Sequence, residues 1–376
     1  MVRKNQAKST PAAKPAAPSV KDVDPASSST SIDIKHQQRL LDILSSSFED
    51  VIASPSFPET LQEIKQALFH RDFATAFGKK EYLEAYAARW SPTRALCYAS
   101  VLSNLRHHLD LISRPSNDTT VEATEAQNKQ EGDILESSNS NAGGTDPIVG
   151  HPRSIKVLSI GGCAAEHVAF ASYLNETALS GHITLVDAAP WSHVTSLLQT
   201  HLTTPPRLSK YASAAAKASN RALVKPSQLS IDFERCDALQ LGKEHLHELL
   251  DGEPLLVTIL FTLNELYTEG GIGKTTRFLG NLSQSLPTGS ILLVLDSPGS
   301  YSEATIGKDK KRYPMQWLLD HTLLETMTTD CKWEKLESND SIWFRLSEAL
   351  SYPIQLENMR YQLHLYKIDR PAQRKK

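Results

Sequence analysis

Trp333-Glu334-Lys335-Leu336-Glu337 and Arg360-Tyr361-Gln362-Leu363-His364-Leu365-Tyr366-Lys367-Ile368 decide the fold. Both read as strands, and no long helical pattern separates them, so they predict an antiparallel pair at the end of the chain. Upstream, strand patterns at 155–160, 183–186, 229–233, 255–261 and 291–295 alternate with stretches long enough for helices. The last of these helices is expected over 314–327. Such alternation predicts an α/β fold with a mostly parallel, doubly wound sheet that binds ligands at the carboxyl ends of its strands. A sixth parallel strand followed by a closing antiparallel one makes a seven-stranded sheet, which is not the sheet of nicotinamide dehydrogenases.

The whole chain has 376 residues, 40 Lys and Arg against 43 Asp and Glu, a formal charge of −3 and 40% apolar residues. At roughly 100–200 residues per domain this fits two domains, or one large domain with an extension. The charge excludes a globally basic nucleic-acid binder but leaves room for local basic patches. Cys97, Cys163, Cys236 and Cys331 are far apart and lack CxxC or CxxH spacing, which argues against a disulfide framework and a structural zinc site. The longest apolar run, 254–263, is strand length and well short of the ~20 residues that cross a bilayer, so no membrane partner is expected.

Residues 1–31 carry Arg3, Lys4, Lys8, Lys14 and Lys21 before the first acid, Asp22, in an Ala-, Pro- and Ser-rich background. They read as a disordered basic tail, either a solubilising segment or a loose arm for RNA or nuclear import. Arg370, Arg374, Lys375 and Lys376 could serve the same ends. Residues 32–112 read as a helical amino-terminal region, with Leu40, Leu41, Leu44 and Phe48, then Leu61, Ile64 and Leu68, then Ala95, Tyr98, Ala99, Leu102 and Leu105 at helical spacing. Within it, Ser91-Pro92 predicts an N-cap and first-turn proline. That places Trp90 and Arg94 at a helix start, where they either meet substrate or form an aromatic seam. Residues 113–153 read as a low-complexity acidic linker, and 154–370 as the α/β domain.

The first strand runs into Gly161-Gly162-Cys163-Ala164-Ala165-Glu166. Gly161 and Gly162 let a ligand approach the backbone at a helix amino terminus. The dinucleotide fingerprint GxGxxG fails at Cys163 and Glu166, and a glutamate there sits badly against pyrophosphate. It suits a cofactor without phosphates, such as S-adenosylmethionine. Asp187, ending the second strand, can accept both ribose hydroxyls. Asp237, after the third, can take an adenine amino hydrogen bond beside Ala238 and Leu239. Either aspartate alone is more often a helix cap; the two together, in register, favour ligand contacts.

The fourth strand ends in Phe261-Thr262-Leu263-Asn264-Glu265-Leu266-Tyr267. Phe261 is placed with the cofactor contacts, Asn264 and Glu265 with catalysis and Tyr267 with substrate stacking; the alternative is that Asn264 and Glu265 cap the next helix. Gly270-Gly271-Ile272-Gly273-Lys274-Thr275 is no phosphate loop, because Thr268 holds the place of its leading glycine. Between the last two strands, Trp343 and Tyr352 are stacking candidates, and Arg345 and Arg360 could meet phosphates.

These segments (86–96, 157–166, 185–187, 261–267, 291–302 and 343–366) resemble the fungal large-subunit (25S) ribosomal RNA uridine-N(3) methyltransferases, a class I methyltransferase family. The resemblance implies a class I Rossmann-like sheet with an amino-terminal helical extension. It implies S-adenosyl-L-methionine as methyl donor, a uridine ring nitrogen as acceptor, and ribosomal RNA or a pre-ribosomal particle as partner. A monomer working in the nucleolus or cytoplasm is expected. Ser159 stands where many class I enzymes carry an acid.

The uridine ring nitrogen is protonated at neutral pH, so the reaction needs a base, for which Glu265 is the candidate, and a group that orients the ring, for which Asn264 is the candidate. The base must be unpaired or flipped to reach the pocket. Neither metal nor cysteine nucleophile is required. The remaining rivals are a catalytically silent methyltransferase fold acting as an assembly module, and a methyltransferase acting on a protein or small molecule.

Overall fold

The computed structural model describes residues 33–115, 153–162, 164–299, 301–306, 309–326 and 331–370. The basic tail, most of the acidic linker, Cys163, Arg374, Lys375 and Lys376 lie outside the described residues.

Seven strands follow one path: β1 (Arg153–Ile160), β2 (Ser180–Asp187), β3 (Leu229–Arg235), β4 (Leu256–Leu260), β5 (Ile291–Asp296), β6 (Lys332–Phe344) and β7 (Met359–Asp369). Their spatial order is β3-β2-β1-β4-β5-β7-β6. The first five are mutually parallel. β7 is antiparallel to both β5 and β6, so it is the closing strand the sequence implies. A two-residue strand, Arg114–Pro115, pairs with the start of β1, and a separate hairpin joins Tyr301–Ile306 to Asp309–Pro314.

Every residue of β4 and β5 is buried, as expected for parallel strands covered on both faces. Alternation divides their side chains between two cores. Val157, Leu185, Leu256 and Leu295 face the first, where α1 (Ile34–Ser47), α2 (Phe57–Phe69), α3 (Lys80–Asn104), α4 (Glu166–Thr177) and α5 (Ser192–Thr203) pack. Leu158, Val257, Ile259 and Leu292 face the second, under α6 (Lys243–Leu250), α7 (Gly271–Ser285) and α8 (Met315–Asp320). The amino-terminal helices are therefore built into one face of the sheet, with Leu40, Leu44 and Tyr98 sharing a core with Val157 and Phe170.

The expected helix start at Ser91-Pro92 is corrected by the structure, because α3 runs unbroken through Pro92. A proline inside a helix has no N–H for the carbonyl four residues back, here Ala88. The hydroxyl of Tyr352 donates to that carbonyl at 2.9 Å. Tyr352, read from sequence as a stacking residue, is thus a half-buried partner of the helix that carries Arg94. Around it, Gln38 and Ser351 exchange hydrogen bonds of 2.9 and 2.8 Å, and Arg89 pairs with Glu357 at 2.6 Å. Tyr352→Phe keeps the ring but leaves the carbonyl unpaired, and is expected to cost ~1–2 kcal/mol in chemical denaturation. A change within experimental error would mean that Ala88 finds another donor.

Candidate active site

At the carboxyl ends of β1 to β4, under α3, lies a cavity of about 720 Å³, within the ~300–1,000 Å³ usual for cofactor pockets. Of the residues singled out in the sequence, Gly161, Gly162, Glu166, Asp187, Asp237, Phe261, Glu265 and Arg94 all line it.

The turn after β1 explains its own glycines. Gly161 has φ +76° and donates to the Val186 carbonyl at 2.8 Å, while its own carbonyl accepts from Thr262 Oγ1 at 2.9 Å. A Cβ there would lie 2.2 Å from the Thr262 side chain; at Gly162 it would lie 2.2 Å from the Glu166 carboxyl carbon. The absent side chains therefore let β1 pass β4 closely and let Glu166 fold back over the turn. Phe261, ending β4, has φ +57° although it is not glycine, a conformation costing on the order of 1–3 kcal/mol and concentrated at functional sites.

Four carboxyls in the cavity are shifted upward, Glu269 among them by partial burial. Burial lifts Glu166 to about 7 against the Arg94 charge, and lifts Asp187 to about 6 although the Ala189 N–H donates to Oδ1 at 2.8 Å. Glu265 opens onto the cavity, yet surrounding protein raises it to about 7, again opposed by Arg94. Asp237 accepts from the Leu239 N–H at 2.9 Å, so it caps the turn it begins as well as lining the cavity. Arg94 donates to the Tyr86 hydroxyl at 2.6 Å and sits 5.5 Å over the Phe261 ring. Burial works against its charge, but Tyr86, Tyr98 and Glu166 outweigh it, leaving its pKa raised.

An aromatic wall escaped the sequence reading. Tyr86, Trp191 and Phe77 line the cavity with ring centroids 5.1 to 5.9 Å apart. Tyr86 opens the resembling stretch 86–96 and Trp191 lies close to Asp187 along the chain, but nothing in the sequence marks Phe77.

The other candidates lie outside the cavity lining. The backbone of Asn264 donates to Asp296 Oδ2 at 3.0 Å. Tyr267 is fully buried in the second core, because the helical turn after β4 widens over Leu266–Gly270 and rotates it inward. Trp90 packs 5.0 Å from Tyr86, one ring removed from the cavity, as an aromatic seam. Trp343 is 53% exposed between the Arg345 and Arg360 guanidiniums, 5.9 and 5.6 Å from its ring. In the register of β7, Gln362 is level with Asp296 at the end of β5, and Arg360 pairs with Trp343 just beyond. This cluster therefore shares the cavity's edge of the sheet. Ser159 is turned into the core and 1% exposed.

Glu166, Asp187, Asp237, Glu265 and Glu269 outnumber Arg94, Arg235 and Lys274 around the cavity. Such a lining repels a pyrophosphate and attracts a cofactor that carries a sulfonium and an ammonium group. The sheet order, the closing antiparallel strand and this acid-lined cavity at the strand ends are those of a class I methyltransferase.

The chain belongs to the SAM-dependent methyltransferase family Methyltransf_34, whose model matches residues 44–367. It is 31% identical over 313 residues to the 25S rRNA (uridine(2843)-N(3))-methyltransferase of Saccharomyces cerevisiae, covering 82% of this chain and 77% of the yeast protein. Among solved structures it is similar to a SAM-dependent methyltransferase from Methanosarcina mazei (TM-score 0.31, 10% identity, 56% of this chain and 91% of that one). The antibiotic-resistance methyltransferase Kmr is comparable (TM-score 0.32, 11% identity, 58% and 88%). The cofactor is S-adenosylmethionine.

Glu166 is raised to about 7 in the unliganded protein, so a cationic cofactor should ionise it and release its proton. Calorimetry near pH 6.5 in buffers of different ionisation enthalpy should read release of about one proton, with affinity rising up to tenfold per pH unit below 7. A binding enthalpy that does not depend on the buffer would show that this carboxyl does not face the cofactor's charge.

Proposed function

We propose that this methyltransferase modifies the N3 ring nitrogen of a uridine in large-subunit ribosomal RNA. It would act as a monomer on RNA or a pre-ribosomal particle, in the nucleolus or cytoplasm. The observation that carries the reading is Glu265, a carboxyl raised to about 7 at the end of β4 and open to the cofactor cavity. It is supported by the likeness to a yeast enzyme named for this reaction. Among the described residues no helix is long and apolar enough to cross a membrane.

The bound cofactor supplies an electrophilic methyl group on a sulfonium that leaves as a neutral thioether. Asp187 would hold the ribose hydroxyls and Asp237 the adenine amino group, against Ala238 and Leu239. Arg94 was placed with substrate in the sequence; beside Glu166 and the β1 turn it is better placed to hold the cofactor's carboxylate. The Glu166 carboxylate would meet the amino group, supplying the acid that Ser159 does not. Glu265 would take the N3 proton as the nitrogen attacks the methyl carbon, so that the proton ends on the carboxylate and the C–S electron pair on sulfur. Trp343, Arg345 and Arg360, on the same sheet edge, would meet the RNA flanking the flipped base.

The test is incubation of the purified chain with large-subunit RNA, or with particles lacking the modification, and labelled cofactor, followed by mass spectrometry of nuclease digests. N3-methyluridine at one position is expected. Label confined to protein, or no label in RNA, would overturn the reading.

A further inference from the structure

We infer that the segment 204–228, between α5 and β3, is a second RNA-docking surface, gripping phosphates of the folded substrate away from the target nucleotide; this rests on the RNA reading above. Between Asp187 and Asp232 there is no Asp or Glu, the longest stretch of the chain without a carboxylate side chain, yet it contains Arg207, Lys210, Lys217, Arg221 and Lys225. All five are exposed, and among the described residues none has a carboxylate partner. In a chain of net charge −3, this concentrates positive potential on one face.

The segment has a defined shape. It leaves α5 after Thr203 and enters β3 at Leu229. Asn220 closes its loop on the Pro206 carbonyl at 2.9 Å. Arg39 of α1 donates to the Arg221 and Ala222 carbonyls, each at 2.7 Å. At its end, Gln228 donates to the Leu174 and Leu179 carbonyls at 3.0 and 2.8 Å. Tyr211 is 83% exposed, with the Lys210 ammonium 5.0 Å over its ring. Cations interspersed with a bare aromatic ring match a phosphate backbone with a base available for stacking. Only Leu208 and Tyr211 are exposed large hydrophobics here among the described residues, too few for the apolar centre of a protein interface.

Position gives the surface its meaning. The segment runs from the end of α5 to the amino end of β3, whereas the cavity lies at the carboxyl ends of the strands. The two are separated by about one strand length, ~23 Å at ~3.3 Å per residue for the seven residues of β3. RNA touching both must be folded and long enough to pass the β3 edge. A short oligonucleotide around the target uridine reaches only the cavity.

The experiment uses the full chain carrying Lys210→Glu, Lys217→Glu and Arg221→Glu together, with cofactor affinity as the check on folding. Binding to a long folded fragment of large-subunit RNA is measured against salt, alongside methylation of that fragment and of a short oligonucleotide with the same uridine. The expected result is at least tenfold weaker binding and a correspondingly higher KM for the long RNA. The slope of log affinity against log salt should be shallower by about two to three. Cofactor affinity, kcat and the short substrate should be unchanged. Long-RNA binding and salt slope equal to the parent's would overturn the inference. So would a variant that binds naked RNA normally but has lost an acidic protein of the particle. If the parent methylates no RNA, the function reading fails, while the binding and salt measurements still decide this surface.

Discussion

Asp187→Ala is expected to abolish measurable binding of S-adenosylmethionine, lowering affinity by ~10²-fold or more. The carboxylate ends β2 on the cavity wall, already oriented by the Ala189 N–H at 2.8 Å and by the Trp191 side chain. Each charge-assisted hydrogen bond to a ribose hydroxyl is worth ~1.5–3 kcal/mol, and two of them give the stated loss. Asp187→Asn preserves shape and one acceptor, so an intermediate loss should follow. Calorimetry on the parent and both variants reads the series directly. Parent-like affinity in Asp187→Ala would place the ribose elsewhere and leave Asp187 as a cap for the turn at Ala189.

Glu265→Gln should lower kcat by ~10²–10⁴-fold, the usual contribution of a general base, with cofactor affinity little changed. The base acts when ionised. Because this carboxyl sits at about 7, kcat/KM of the parent for RNA at saturating cofactor should rise tenfold per pH unit below 7 and level off above it. The variant's profile should be flat over the same range. A parent-like slope retained in the variant would assign the titration to another group and Glu265 to a structural role. The same shift has a stability sign. Glu166 and Glu265 are raised above the ordinary glutamate range, so the folded, unliganded protein holds their protons more tightly than the unfolded chain does. Their stabilisation is complete below about pH 4.5 and is lost as pH rises through about 7.

The sheet was legible because its strands carry local marks. Leu256 to Leu260 and Ile291 to Asp296 are short buried runs, and the strand pair at the chain end lacks a helix between its members. Asp187, Asp237 and the Gly161-Gly162 turn were legible for a related reason, since strand ends locate the ligand edge once the alternation is known. What failed depends on contacts between distant segments. Pro92 looked like a helix start because nothing nearby reveals that a tyrosine some 260 residues later supplies the missing donor. Tyr267 looked available to substrate until the widened turn at Leu266–Gly270 turned it into the core. Phe77, Tyr86 and Trp191 come from three segments and form a wall only when the amino-terminal helices lie over β2.

The bond between Tyr352 and Ala88 also sets an order of assembly. Every residue that lines the cavity has been synthesised by Lys274. The hydroxyl that completes α3 arrives only with Tyr352, and the strand that separates β5 from β6 arrives after it. A chain still on the ribosome at residue 340 holds every cavity-lining residue on a scaffold whose roof and edge are unfinished. The cavity's lining is thus complete in sequence well before the Tyr352 hydroxyl and the closing strand that brace its roof and sheet.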